Sequence, residues 1–208
     1  MIIAILVILA ISYLMGNING AILISKFVIH DDVRTHGSGN AGFTNYFRNY
    51  GGLNSLIVMA IDFFKAYFAC LLGGWILNRY GLKLEGMMIA ALGVTLGHDF
   101  PALCGFKGGK GILCGLAVAV AIDWRIALLL PVLFAVTYFP TKYVSFGSVA
   151  GACGFAVGFL IFHHDNLLLV AGGILLSALA LFMHRSNIKR LIHGQETKTD
   201  FFKEHKKK

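Results

Sequence analysis

The chain is written in long apolar runs separated by short polar segments. The runs are Met1–Ile24, Leu53–Leu77, Leu84–Leu96, Ile112–Ile122, Ile126–Phe139, Phe146–Phe162 and Leu167–Met183. A helix needs roughly 20 residues to cross about 30 Å of hydrocarbon. Four runs meet or approach that length, and three are short. The first run has no basic residue before its apolar part and no small-x-small cleavage pattern. It is expected to stay in the mature chain as a span.

The topology turns on residues 112–139. One long helix there would place Asp123, Trp124 and Arg125 near mid-bilayer, where a charged group costs roughly 2.5–3.5 kcal/mol. Two short spans turning at Asp-Trp-Arg avoid that cost, and Trp124 suits an interface. The expectation is an all-α, polytopic membrane protein of seven spans, some short, with the N-terminus outside and the C-terminus cytoplasmic. The chain 1–208 would form one integral-membrane domain with a short basic tail from about residue 197.

Composition agrees with this. The 208 residues are 57% hydrophobic and 13% charged, too apolar for a soluble domain of this size to hide. The net charge of +8 is placed unevenly. On the seven-span arrangement, Arg79, Lys83 and Arg125 face out, while the loop and tail cations Lys26, Arg34, Arg48, Lys107, Lys110, Lys142, Arg185, Lys189, Arg190, Lys198, Lys203, Lys206, Lys207 and Lys208 face in. That is a positive-inside bias. The tail "KEHKKK" reads as a lipid-facing arm rather than a nucleic-acid arm. The four cysteines (Cys70, Cys104, Cys114 and Cys153) form no C-x-x-C pair and read as inert buried thiols.

Four polar islands carry the candidate chemistry. The first is "RTHGSGNAGFTNYFRN", Arg34 to Asn49. Gly37, Gly39 and Gly42 spell G-x-G-x-x-G, but the dinucleotide fingerprint requires a strand before it, and here a span comes before. The glycines still let backbone N–H groups approach an anion. Ser38, Asn40, Thr44 and Asn45 add neutral donors, and Arg48 can grip a phosphate bidentately. A plain polar turn with a helix cap is the bland alternative.

The second island is "GFKGGKG", residues 105 to 111, preceded by "GHDFP". It is not a Walker loop, because Cys104 and Gly111 stand where that motif needs glycine and Ser or Thr. A glycine loop (Gly108, Gly109, Gly111) running into an apolar helix nevertheless offers free N–H groups, and with Lys110 it forms an anion site. Lys107 serves either that site or a lipid headgroup. His98 reads as an interfacial histidine, and Pro101 ends the preceding helix.

The third island, "KYVSFGSV", places Ser145 and Ser148 three apart at a helix start, as ligands or as N-caps. The fourth is "HRSNIKRLIHGQETK". His184 and Asn187 share a helix face, and Glu196 stands out among few carboxylates; a surface ion pair is its bland reading. Elsewhere, Asp62 and Lys65 read as an ion pair inside the bundle. Asn17 and Asn19 are expected to bond to neighbouring helices. His163 and His164 are adjacent on a helix and point apart, so they make no metal pair.

The chain lacks G-x-S-x-G, lacks a histidine with aspartate five positions later, and lacks a carboxylate cluster suited to a metal. A site rich in anion donors and poor in bases should act on a substrate that arrives activated. All four islands share one face only if residues 112–139 cross twice. An anion or organophosphate transporter is the rival class. Transporters usually show internal repeats and a midplane site, and no repeat is visible here.

"GSGNAGFTN" with Arg48, "GHDFP…FKGGKG", the paired serines after Lys142 and "HRSNIKRLIHGQE" together resemble the bacterial acyl-phosphate:glycerol-3-phosphate acyltransferases. The resemblance runs from the first span to about Glu196. It implies a seven-span protein of the bacterial inner membrane, with its site facing the cytoplasm. The implied reaction moves a fatty acyl group from acyl phosphate to the 1-hydroxyl of glycerol 3-phosphate, giving lysophosphatidate and phosphate, without acyl-CoA, cofactor or metal. The implied partners are those two substrates and membrane lipid, with no nucleic acid and no obligate protein partner; a monomer suffices.

The implied catalytic residues are Lys110, Arg48, His184 and Asn187. The implied substrate-binding residues are Gly37, Ser38, Gly39, Asn40, Thr44, Asn45, Lys107, Gly108, Gly109, Gly111, Ser145, Ser148 and Glu196. The first-loop donors, Lys110 and the serines are expected at the acyl-phosphate end, with Arg48, His184 and Asn187 at glycerol phosphate. Phe43, Leu113 and Cys114, and Asn17 with Asn19, depart from the family's usual residues.

Overall fold

A computed structural model describes residues 1–201; the end of the basic tail, 202–208, lies outside the described residues. Within 1–201 the regular structure is helical. The α-helices are α1 (Ile2–Gly16), α2 (Gly20–Phe27), α3 (Phe43–Tyr50), α4 (Asn54–Asn78), α5 (Lys83–Asp99), α6 (Ile112–Ile122), α7 (Trp124–Thr141), α8 (Val144–Phe162), α9 (Leu167–Met183) and α10 (Arg185–Ile192). Five segments are long and apolar enough to cross a membrane: Ile2–Phe27, Asn54–Asn78, Lys83–Cys104, Trp124–Thr141 and Val144–Phe162. α9 makes a sixth if α10 continues it after a 60° bend, and α6 is a shorter apolar helix. Two runs that look short in sequence therefore belong to longer helices, because α5 and α7 extend through polar residues at their ends.

Residues 112–139 do not form one helix. The break falls at Asp123, whose carboxylate accepts from the Arg125 N–H at 2.8 Å and so caps α7. The same carboxylate pairs with the Arg125 guanidinium at 2.6 Å and lies 3.0 Å from His163 Nε2. The charged residues that would be costly at mid-bilayer here close a turn between two helices.

The first apolar run is also broken. Asn19 caps α2 by accepting from the Ile22 N–H, and its amide donates to the Ala41 carbonyl. Asn17 donates to the Tyr13 carbonyl of its own helix and accepts from the Leu103 N–H. Asn17 thus bonds to the neighbouring Lys83–Cys104 segment as expected, whereas Asn19 bonds to a helix cap and a loop. Short polar side chains compete with the backbone ladder, which suits them to helix ends.

The Asp62–Lys65 pair holds this break from below. Lys65 Nζ donates to the Gly16 and Ile18 carbonyls at 3.2 and 2.6 Å and to Asp62 at 2.8 Å. Asp62 accepts from the Gly20 N–H at 3.1 Å. A cation thus meets the C-terminus of α1 and an anion the N-terminus of α2, as the helix dipoles favour. Lys65 Nζ also lies 2.8 Å from His98 Nδ1. His98 is buried within the bundle.

α5 packs against α1, α4, α6 and α9 and is the central helix. Its contact with α1 is backbone to backbone: a Cβ on Gly16 would lie 2.3 Å from the Val94 carbonyl oxygen, and one on Gly97 2.1 Å from that of Tyr13. Small residues permit such close approach between membrane helices. Met88, Ile126, Phe159 and Leu169 fill the core on the other side. Cys70 and Cys114 are buried thiols, whereas Cys153 is exposed.

Candidate active site

The first island folds around one side chain. Asn45, 3% exposed, donates through its amide nitrogen to the carbonyls of Val33, His36 and Asn40 at 3.0–3.1 Å. Its side-chain oxygen accepts from the Ser38 N–H at 3.0 Å. The loop turns through left-handed residues at Gly37 and Gly39. Asn45 is the clamp that brings Ser38, Asn40, Thr44 and Arg48 to one side, where all four line a cavity of about 370 Å³.

The second island presses against His98. The Gly109 N–H donates to the His98 carbonyl at 3.0 Å, and a Cβ on Gly109 would lie 2.1 Å from His98 Nε2. The Gly108 carbonyl accepts from the Ala41 N–H, which joins this island to the first. Gly111, with φ of +69°, precedes α6 and turns the chain so that Lys110 and the free N–H groups of the helix start meet the same cavity. Gly108 and Gly109 thus build the loop without lining the cavity. Lys107 and Gly39 line a separate shallow depression with Asp32, Arg34, Thr35, Cys104 and Gly105. Lys107 is exposed and does not line the cavity.

The third island opens α8. Ser145, Ser148, Ala152 and Phe155 lie at three- and four-residue spacing, so one helix face runs from hydroxyls to apolar carbon over roughly 15 Å. All four line the cavity. Ser148 donates to the Val144 carbonyl, and Ser145 Oγ is buried without a protein partner. Neither serine is an N-cap.

The fourth island brings His184, Asn187 and Glu196 to the cavity. Lys110 donates to Asn187 Oδ1. Asn187 Nδ2 donates to Glu196 Oε1 at 3.2 Å, and Arg190 Nε donates to Glu196 Oε2 at 2.9 Å. Glu196 is not a surface ion pair: its side chain is 2% exposed, and both oxygens orient cations and amides around Lys110. His184 Nδ1 lies 2.8 Å from the Ala180 carbonyl. A carbonyl only accepts, so Nδ1 carries the proton and Nε2 is left as an acceptor.

The polar end is positive and partly dry. Burial, followed by the Arg190 charge, pushes the Lys110 ammonium down to about 8, while Glu196 opposes the shift. Burial also lowers Arg48, with Glu196 opposing. Burial pushes His184, just past the end of α9, down to about 4. Cations held together in a desolvated pocket repel one another, and a bound anion relieves that repulsion.

The opposite end is apolar, lined by Leu116, Leu130, Pro131, Phe134, Phe155 and Leu176. Sequence reasoning missed several lining residues: Asp62, Thr95, His98 and Ser177. They lie inside apolar helices, and only the packing of α4, α5 and α9 shows that they face the cavity. The hydroxyls of Thr95 and Ser177 are buried without a protein partner. The arrangement can hold phosphate groups at one end and an alkyl chain at the other.

The chain is similar to known proteins along most of its length. The family model for glycerol-3-phosphate acyltransferase matches residues 6–194. A glycerol-3-phosphate acyltransferase of Finegoldia magna is 42% identical over 89% of this chain and 91% of its own. One from Clostridioides difficile is 34% identical over 93% and 94%. The crystal structure of PlsY (YgiH), an integral membrane glycerol 3-phosphate acyltransferase, superposes in its glycerol 3-phosphate form with a TM-score of 0.85, at 30% identity over 94% of this chain and 96% of that one. Its lysophosphatidic acid form gives 0.82.

Proposed function

The chain belongs to the glycerol-3-phosphate acyltransferase family, and from that premise we propose that its cavity moves an acyl group from acyl phosphate to the 1-hydroxyl of glycerol 3-phosphate. It is an integral-membrane acyltransferase acting on glycerol 3-phosphate. The single observation that carries the proposed donor is the convergence of four polar islands on one cavity, cationic at one end and apolar at the other. Its lining carboxylates, Asp62 and Glu196, are already engaged by Lys65 and by Asn187 with Arg190. Among the described residues, no lining hydroxyl stands in a nucleophile–base pair. Such a pocket suits direct transfer from a mixed anhydride, whose phosphate is a good leaving group.

In the proposed step, the 1-hydroxyl oxygen attacks the acyl carbonyl carbon. The new ester C–O bond forms as the C–O bond to phosphate breaks. The hydroxyl proton passes to an oxygen of the departing phosphate, so lysophosphatidate and hydrogen phosphate leave. Two phosphates must be held close, and Lys110, Arg48 and the α6 N–H groups offset their repulsion. Ser38, Asn40, Thr44, Ser145, Ser148 and Lys110 take the acyl-phosphate end. Arg48, His184 and Asn187 take glycerol phosphate, with His184 Nε2 accepting from the hydroxyl without removing its proton. Lys107 remains outside this set.

We place the protein in the bacterial inner membrane as seven spans, counting α6 and α9. The N-terminus lies outside and the cavity mouth faces the cytoplasm. The charge bias of the loops supports that orientation. Donor choice is tested with purified protein in detergent, offered palmitoyl phosphate or palmitoyl-CoA together with glycerol 3-phosphate. The proposal requires lysophosphatidate from the phosphate donor only. Product from palmitoyl-CoA alone overturns it.

A further inference from the structure

Residues 197–201 do not trail away from the bundle. They run beside the cavity, from α10 to the α7–α8 turn, and Thr199, 5% exposed, is their pin. The Thr199 N–H donates to the Lys142 carbonyl at 2.9 Å, and the Tyr138 hydroxyl donates to the Thr199 carbonyl at 3.0 Å. Both backbone groups of Thr199 are thereby fixed to the end of α7. Its side-chain oxygen points the other way and accepts from Arg48 Nε at 2.6 Å, while Arg48 Nη2 donates to the Thr197 carbonyl at 2.9 Å. Phe201 seats the end of the strap against Phe43, Phe47 and Tyr138, with ring centroids 5.2–5.9 Å apart. Arg48 and Phe201 both line the cavity.

An arginine has five N–H donors in a rigid fork. The strap takes two of them, on the Nε edge and at Nη2, and leaves three. With the guanidinium plane fixed by these two bonds, the remaining donors have one orientation in which to meet a phosphate. Without them, a long cationic side chain among Lys110, Arg185 and Arg190 would have many rotamers and would lose their entropy on binding.

We propose that Thr199 is a positioning residue for this acyltransferase, acting through Arg48 to preset the grip on glycerol 3-phosphate. It touches no substrate itself. Phe43 supports the same strap, since its ring stacks on Phe47 and meets Phe201. The proposal rests on the functional reading above, in which Arg48 holds glycerol phosphate.

The test compares wild type, Thr199→Val, Thr199→Ser, Arg48→Lys and the Thr199→Val/Arg48→Lys double variant. Phosphate release from palmitoyl phosphate is followed at varied glycerol 3-phosphate. Wild-type release that depends on glycerol 3-phosphate checks the functional reading first; if it is absent, that reading falls whatever Thr199 does. With wild type active, Thr199→Val should raise the KM for glycerol 3-phosphate roughly 5- to 20-fold and leave kcat within about twofold. Thr199→Ser, which keeps the oxygen, should return KM to within about twofold of wild type. The double variant should bind no worse than Arg48→Lys alone, because the two changes remove one interaction. An unchanged KM in Thr199→Val, a Ser variant as impaired as Val, or additive losses in the double variant would each overturn the positioning role. Thr199→Ala, which cannot clash, stands in if the valine variant does not accumulate.

Discussion

Lys110 and Asn187 are 77 positions apart in the chain, and the ammonium of one donates to the side-chain oxygen of the other. The bond joins the glycine-lysine turn to the C-terminal turn. Behind Asn187 stands Glu196, and behind Glu196 stands Arg190. One carboxylate thus moderates several cations. These bonds hold the pocket together and leave it net positive for the phosphates it is proposed to bind.

The Lys110 ammonium, held near 8 by burial and by Arg190, sets a pH limit. A lysine is cationic below its pKa and neutral above it. The clamp is therefore complete below about pH 8 and weakens as pH rises through that value. The kcat/KM for glycerol 3-phosphate, which reports the free enzyme, should fall above about pH 8. Lys110→Arg should lose that falling limb in a titration from pH 6 to 10, since arginine stays charged throughout. A limb that stays in place would assign it to another group.

His184 is too weak a base in this environment, with an imidazole held near pH 4 and its Nδ1 proton given to Ala180. His184→Gln keeps an acceptor and should retain turnover within about tenfold, with no ionisation lost between pH 5.5 and 7.5. General-base catalysis is worth roughly 100- to 10,000-fold. A glutamine variant that binds glycerol 3-phosphate normally and has lost more than about 100-fold in kcat would make His184 the base.

Asn45 is predicted to matter for the loop rather than for the chemistry. Asn45→Ala leaves three carbonyls and the Ser38 N–H without their partner. The Val33 carbonyl belongs to a buried residue, and leaving it unpaired should cost about 1–3 kcal/mol. Thermal unfolding in detergent should show this as a lowered midpoint, with a rise in KM for both substrates. An unchanged midpoint would contradict the clamp.

Much of this was legible in sequence, for identifiable reasons. Desolvation cost places a turn at Asp123. The missing Cβ of glycine and a following apolar run place a helix start beside Lys110. Twelve of the expected site residues line the cavity: Ser38, Asn40, Thr44, Asn45, Arg48, Lys110, Gly111, Ser145, Ser148, His184, Asn187 and Glu196. Gly37, Gly39, Gly108 and Gly109 shape loops, and Lys107 points elsewhere. Local pattern could not show that Asp62 and His98 reach the cavity, because Lys65 ties them to a helix break 47 residues earlier, nor that Thr95 does, because only the packing of α5 turns it there. Nor could it show that Thr199 folds back, since its partners are 61 and 151 positions away.

The apolar arm gives a prediction about chain length. Gly151 lines the cavity on α8, and a Cβ there would meet nothing within 4 Å. Gly151→Leu should therefore fold normally and fill the arm. Competition between acyl phosphates of 16 and about 10 carbons should shift several-fold toward the shorter chain, with the KM for glycerol 3-phosphate unchanged. An unaltered ratio would place the acyl chain somewhere else.

The central claim is that Lys110 anchors one positive cradle where both phosphates meet. The direct measurement is glycerol 3-phosphate-dependent phosphate release from palmitoyl phosphate by purified wild type and Lys110→Ala. Loss of one such preorganised group typically costs roughly 100- to 1,000-fold in turnover. The account predicts a fall of that size in a variant whose unfolding midpoint is unchanged. Turnover by Lys110→Ala within about threefold of wild type would contradict it.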